Sequence, residues 1–235
     1  MNAKKSKVIV IRGESRRGEE VDVGEEVRVE GGGEVLGRTE VFRYLGVELG
    51  TKGGMEDEIQ NRVREGKRVL GGLREVWKKG NLPKNIKIRM FESIAVPTVL
   101  YGCGAWTVDN KVRKKLEVLE MYGLRMICGV SRRQKVRNVT IRQRCGWDRG
   151  LVERCEQGIL RWFGHLVRMD NERLVKRVYD SNVAGRRGRG RPRDKWLDGV
   201  EGVLRSRGLD VEQGMIQARD RVAWRGVVRG AGLSD

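Results

Sequence analysis

The chain has 235 residues, enough for one large domain or two small ones, and its 50 lysines and arginines outnumber its 32 aspartates and glutamates. The resulting formal charge of +18 favours a polyanionic partner, because each cation placed on a phosphate releases condensed counterions. No apolar run approaches the roughly 20 residues of a membrane span, and the N-terminal sequence is too polar for a secretory signal. Four scattered cysteines without a Cys-x-x-Cys pair are typical of a reduced, intracellular protein.

The excess positive charge is concentrated in one part of the chain. The net charge is −1 over residues 1–50, +7 over 51–130, +12 over 131–193 and zero over 194–235. We therefore expect residues 131–193 to form the electrostatic footprint of a nucleic-acid ligand. A charged, solvated surface without a ligand is the simpler alternative, but so large an excess favours nucleic acid.

The first 50 residues have the pattern of short strands. Val8–Ile11 is an apolar run suited to a buried strand, and Val27–Val29 and Val41–Leu49 alternate between apolar and polar residues. The polar segment Gly13–Glu26 between them predicts a loop or hairpin tip. Three short strands make a poor domain alone, which suggests a sheet that lacks its other half.

From residue 55 onward the apolar residues recur with helical spacing. The acidic run Glu56–Glu58 suits the first turn of a helix, and Asn81–Pro83 should end that helix. Further predicted helices span Lys84–Ala95, Lys111–Ile127, Val136–Arg144, Leu151–Met169, Asp194–Arg205 and Val211–Val228.

Five sequence blocks occur in an order that is similar to one known family. They are Met1–Val10 with its Asn-Ala-Lys-Lys-Ser-Lys run, Phe42–Gly46, Val96–Gly102, Leu160–Met169 and Gly188–Arg193. Together they resemble the late palm, primer grip, thumb and tail of a non-LTR (LINE-type) retrotransposon reverse transcriptase. Each block is weak alone, but five in collinear order are fairly specific.

The resemblance implies an α+β fold that is mainly α. Its small N-terminal antiparallel β remnant of a palm would occupy residues 1–50 and carry a primer-grip-like strand with Phe42, Tyr44, Leu45 and Gly46. The expected parts that follow are a helical thumb (51–130), a basic helical region (131–184), a Gly/Arg linker (185–193) and C-terminal helices (194–235).

Polymerases of this family work by two-metal phosphoryl transfer on paired aspartates, which lie just upstream of the segment that this chain resembles. No Asp-Asp pair occurs here, and Asp22 is the only aspartate in the first 50 residues. We therefore assign no catalytic residue and expect no cofactor.

The resemblance implies RNA and DNA as ligands in the nucleus, held without catalysis, and an upstream polymerase segment as a candidate partner. The expected phosphate-binding residues are Arg132, Arg133, Lys135, Arg137, Arg142, Arg144, Arg186, Arg187, Arg189, Arg191 and Arg193.

Other interpretations of these features remain open. The primer-grip-like residues would also suit any half-buried strand with a bend. The run Arg189–Pro192 has the core of an AT-hook, in which an extended Arg-Gly-Arg lies in the minor groove of A·T tracts, but it also suits a flexible basic linker. The alternative function is a free-standing DNA-binding or architectural protein, either domesticated or a decayed remnant.

Cys128, Cys145, Cys155 and His165 form a conceivable zinc set, but their spacings do not match the usual patterns. Cys155 lies on the apolar stripe of its predicted helix, and we expect His165 to pack beside Trp162 or to cap a polar contact. The six tryptophans mostly fit apolar helical stripes, so core positions are the default; Trp147 is the one that we expect to be exposed, where it could stack on a base.

Overall fold

The computed structural model of the protein describes residues 26–28, 35–37, 39–44, 46–50, 55–181 and 195–230. They belong to two compact units, one that ends at Asn61 and one that begins at Arg62. None of the helices in these ranges combines the length and the apolar character that crossing a lipid bilayer requires.

The described residues of the first unit include four short strands in two antiparallel pairs. Strand β1 (Glu26–Arg28) pairs with β2 (Val35–Gly37), and β3 (Val41–Tyr44) pairs with β4 (Val47–Gly50). Tyr44 lies opposite Val47, so the chain reverses over two residues, and Gly46 adopts a φ of 82° at this turn. Glycine tolerates that positive φ without the steric cost that a side chain would add.

The described chain is mainly helical, as the mainly-α part of the prediction expects, but the predicted α+β class with an N-terminal antiparallel β remnant of a palm is wrong. The strands are three or four residues long, and each pair stands alone instead of joining a common sheet. A two-stranded pair is marginal in water, since it offers no sheet face large enough to bury a core. The predicted strand at Val41–Leu49 is divided by the turn at Gly46, and the one at Val8–Ile11 lies outside the described residues.

The helices begin with α1 (Met55–Lys79) and α2 (Lys84–Met90). A π-helical turn (Phe91–Ala95) joins α2 to α3 (Val96–Val99), and a 3₁₀ turn (Cys103–Ala105) follows. The remaining helices are α4 (Asn110–Cys128), α5 (Asn138–Cys145), α6 (Leu151–Val167), α7 (Leu174–Asp180), α8 (Trp196–Arg205), α9 (Val211–Arg219) and α10 (Arg221–Arg229).

Apolar spacing therefore predicts most helices to within a few residues, with two differences. The predicted helix Val211–Val228 is divided at Asp220, whose carboxylate accepts a hydrogen bond from the Val222 amide at 2.7 Å and so begins a new helix. Helix α7 was not predicted, because its Leu174, Val175 and Val178 lie mostly exposed and form no buried stripe.

Helix α6 forms the centre of the second unit. It packs against α4, α8, α9 and α10 through a stripe of buried residues that includes Leu151, Cys155, Ile159 and Leu166. The Trp224 indole N–H of α10 donates a hydrogen bond to the Leu160 carbonyl of α6 at 2.9 Å. Elements from both sides of the predicted boundary at residue 130 thus pack into the same unit.

Substitution of Gly164 by alanine should destabilise this core. A β-carbon at Gly164 would overlap the Trp224 indole, so the ring must shift from its bond to α6. Overpacking of this kind costs about 1–3 kcal/mol of unfolding free energy. The matched control is Gly202→Ala on α8, where nothing lies within 4 Å of the new carbon, and helix propensity should raise stability by about 0.5–1 kcal/mol. Urea denaturation followed by circular dichroism measures both, and equal midpoints for the two variants would contradict this packing.

Candidate nucleic-acid interface

A basic groove lies in the second unit between α1 and α4. Its volume is about 1060 Å³. The first turn of α5, part of α2 and the chain after α4 complete its walls. The residues that line it are Lys67, Arg74, Trp77, Lys78, Lys87, Lys114, Glu117, Val118, Met121, Tyr122, Arg125, Met126, Gly129, Val130, Ser131, Arg132 and Asn138.

The two long helices carry their groove cations beside their apolar stripes. On α1, Leu70, Leu73 and Trp77 are buried, and Lys67 and Arg74, which are two helical turns apart, share a neighbouring face. On α4, Leu116 and Leu119 are buried while Lys114 is exposed. The amphipathic pattern therefore leaves cations on an exposed face of each helix, and both sets line the groove.

Seven cations line the groove, and Glu117 is the only acidic residue among its described lining residues. Lys78 lies 3.6 Å from Glu75, which is an exposed pair of little energetic weight. In the described part of the chain, five of the cations have no ion-pair partner; they are Lys67, Arg74, Lys87, Lys114 and Arg132. The groove consequently has a large local excess of positive charge that a polyanion could neutralise.

Two buried donors also belong to this groove. The guanidinium of Arg125 is held at one end, where Nη2 donates to the Val136 carbonyl at 2.7 Å and to Oδ1 of Asn138 at 2.9 Å. Its Nη1 is buried and has no hydrogen-bond partner among the described residues, and the same is true of the Trp77 indole nitrogen. Buried donors are usually satisfied, and of the four buried side-chain groups without a partner in the described part of the chain these two are the ones that line the groove.

An ion pair fixes the position of α5 beside α4. The Glu120 side chain on α4 is fully buried, and its Oε1 accepts a hydrogen bond from Nε of Arg142 at 2.8 Å and lies 2.8 Å from Nη2 of the same guanidinium. Its Oε2 accepts a hydrogen bond from the backbone N–H of Leu151, the first residue of α6, with 2.5 Å between nitrogen and oxygen. A carboxylate is favourable there because the N-terminus of a helix carries partial positive charge.

The predicted basic cluster lies next to the groove but divides into two kinds of residue. Five of its members are exposed in the turn after α4 and on α5: Arg132, Arg133, Lys135, Arg137 and Arg144. Arg142 instead pairs with Glu120, so its main contact is structural. Arg132 is the member of this cluster that also lines the groove.

The other predicted site residues belong to the first unit or lie outside the described residues. Phe42 and Tyr44 lie in β3, and Gly46 lies at the turn that follows, all within the first unit. Leu45 and the basic run 186–193, with Arg186, Arg187, Arg189, Arg191 and Arg193, lie outside the described residues.

The predicted electrostatic footprint, which begins after residue 130, does not include the cations on α1 and α4. A signal was present, since Lys67, Arg74 and Lys78 recur at helical spacing beside the apolar stripe of α1. A helical projection of each helix would have shown the charged face; the fact that two such faces line one groove is a tertiary feature.

The candidate zinc ligands lie in three separate places. The sulfur atoms of Cys128 and Cys145 are 3.1 Å apart, and burial together with the Cys128 thiol raises the pKa of Cys145 to about 12. The Cys155 thiol is fully buried and forms a hydrogen bond with the Cys103 thiol. This hydrogen bond lowers the pKa of Cys103 and raises the pKa of Cys155. His165 packs on Trp162 with ring centres 5.4 Å apart, as predicted. Within the described ranges, no group of three His, Cys, Asp or Glu side chains forms a possible metal site.

The prediction that Trp147 is exposed is wrong, since only 4% of the residue is accessible. Helix α5 ends at Gly146 with a φ of 58°, and the chain then folds back. Trp147 consequently packs against the Phe91 ring at 5.1 Å, with the Arg154 guanidinium 4.7 Å from its own ring centre. It offers no face for a base to stack on.

Comparison with known proteins gives one significant similarity among curated sequences. Over 198 aligned residues the chain is 22% identical to a Caenorhabditis elegans protein described as uncharacterized and transposon-derived, and the alignment covers 80% of this chain and 70% of that protein. No family model matches the chain, and no solved structure matches it. The similarity supports a transposon origin and does not extend to an activity.

Substitution of Glu120 by alanine should destabilise the protein, because the Leu151 N–H loses its acceptor and Arg142 loses its partner. We expect a loss of about 2–4 kcal/mol of unfolding free energy. Glu117→Ala, an exposed position on the same helix, is the matched control and should change stability by less than about 0.5 kcal/mol. Urea denaturation measures both, and an equal effect of the two substitutions would show that Glu120 does not anchor α5 and α6.

Proposed function

We propose that this chain is a nucleic-acid-binding part of a retrotransposon RNA-directed DNA polymerase and that its basic groove holds primer and template. The observation that carries the proposal is the set of cations along the groove, five of which have no ion-pair partner in the described part of the chain. The transposon-derived relative agrees with this origin, and the resemblance of the sequence blocks supplies the polymerase family.

Phosphate contacts suit this arrangement better than base-specific contacts. Four of the lining cations are lysines, which act as compact, mobile point charges and not as planar bidentate donors. Such contacts position a nucleic acid and contribute affinity without reading its sequence. The exposed residues Arg133, Lys135 and Arg137 follow the groove residue Arg132 in the chain and add positive charge next to it.

A triple charge substitution in the groove tests the proposal. We expect Lys67→Gln, Arg74→Gln and Lys114→Gln together to weaken binding of a short RNA paired with complementary DNA by about tenfold or more in about 0.1 M salt. The slope of log K against log salt should become shallower by about 3, because three phosphate contacts are lost. Fluorescence anisotropy across a salt series gives both quantities.

The matched control removes the same formal charge elsewhere in the second unit. Arg219→Gln, Arg225→Gln and Arg229→Gln change exposed residues on α9 and α10 that do not line the groove. This variant should keep most of the affinity and most of the salt slope. Equal losses in the two triple variants would mean that net charge alone drives binding, and the groove would then have no special role.

A further inference from the structure

Two exposed residues form a small apolar patch among the cations that line the groove. Tyr122 is 44% exposed and Val118 is 49% exposed, and both line the groove. They are four residues apart on α4 and therefore share one face of the helix. An aromatic ring left open to solvent beside unpaired cations suggests a ligand with both charge and a planar apolar surface.

Nucleic acid offers that combination when its bases are unpaired. In a duplex each base is covered above and below by its neighbours, so its planar face is not available to a protein side chain. A single-stranded segment can place a base on an aromatic ring while cations contact its phosphates. The lysines and arginines around Tyr122 fit the second requirement.

The groove has room for a nucleotide. Its volume of about 1060 Å³ slightly exceeds that of typical ligand pockets, which span roughly 300–1,000 Å³. Trp77 and Arg125 also line the groove, but their nitrogen donors without a partner are closed to solvent. The contacts that the groove offers to a nucleotide are therefore the exposed Tyr122 and Val118 and the cations around them.

We infer that the groove binds a single-stranded segment of nucleic acid and that one of its unpaired bases stacks on Tyr122. The inference rests on the proposed function, since the same cations hold the backbone. It adds that the base on Tyr122 belongs to an unpaired stretch of the strand, such as a template extension beside the paired region.

Tyr122→Ala tests the inference, with Tyr122→Phe as the variant that keeps the ring. Tyr101→Ala is the matched control, because Tyr101 is 47% exposed but does not line the groove. The probes are a short single-stranded RNA and a blunt duplex of the same RNA with complementary DNA, each measured by fluorescence anisotropy. A single-stranded DNA that contains one 2-aminopurine, whose emission falls when the base is stacked, reports stacking directly.

We expect Tyr122→Ala to weaken single-strand binding by about five- to fiftyfold, as the loss of one stacked base predicts. Binding of the blunt duplex should change less than about twofold, and Tyr122→Phe and Tyr101→Ala should both bind like the original protein. The 2-aminopurine signal should be quenched by the original protein and by Tyr122→Phe, and not by Tyr122→Ala.

Equal losses on single strand and duplex, or no loss at all, would overturn the inference. Displacement of the single strand by an acidic peptide that is itself sensitive to Tyr122→Ala would also overturn it, because the groove would then be a protein-docking site. If the proposed function itself is wrong, the triple variant Lys67→Gln, Arg74→Gln and Lys114→Gln should bind every probe as tightly as the triple arginine control on α9 and α10. If that variant binds weakly while Tyr122→Ala binds normally, only the stacking inference fails.

Discussion

The buried carboxylate of Glu120 is the interaction on which the arrangement around the groove depends. It lies on α4 and bonds at the same time to Arg142 of α5 and to the first backbone N–H of α6. A buried charge is costly without partners, so the three helices are held in the one arrangement that supplies them. The exposed cations from Arg132 to Arg144 belong to the segment that this ion pair fixes.

The groove stands out by its charge and not by its buried polar groups. Elsewhere in the second unit the indole N–H of Trp224 has a backbone acceptor, and Arg113 and Arg154 pair with Glu156 and Glu92. Buried groups without a partner occur both in the groove, at Trp77 and Arg125, and outside it, at Trp147 and Tyr179, within the described part of the chain. The cations without counterions along one groove are therefore the feature that favours a polyanionic ligand there.

Features that depend on residues close together in sequence are predicted well, and features that depend on contacts between distant residues are not. Helices α1, α4 and α6 follow from apolar spacing alone, since Leu70, Leu116 and Ile159 lie on buried stripes. The burial of Trp147 depends on Phe91 and Arg154, which are distant in sequence, so no local pattern reveals it. The cluster Arg132–Arg144 was found from charge density, whereas the groove itself needs two helices to be placed side by side, and that is set by tertiary packing.

The most direct measurement of where nucleic acid binds is photo-crosslinking with RNA that contains 4-thiouridine, followed by mass spectrometry of the crosslinked peptides. The account predicts crosslinks to residues of the groove on α1 and α4, with Tyr122 and Lys114 as expected sites. It would be contradicted by crosslinks confined to residues 182–194, or by crosslinks spread evenly over every basic surface of the chain, because the groove would then not be the site that selects the ligand.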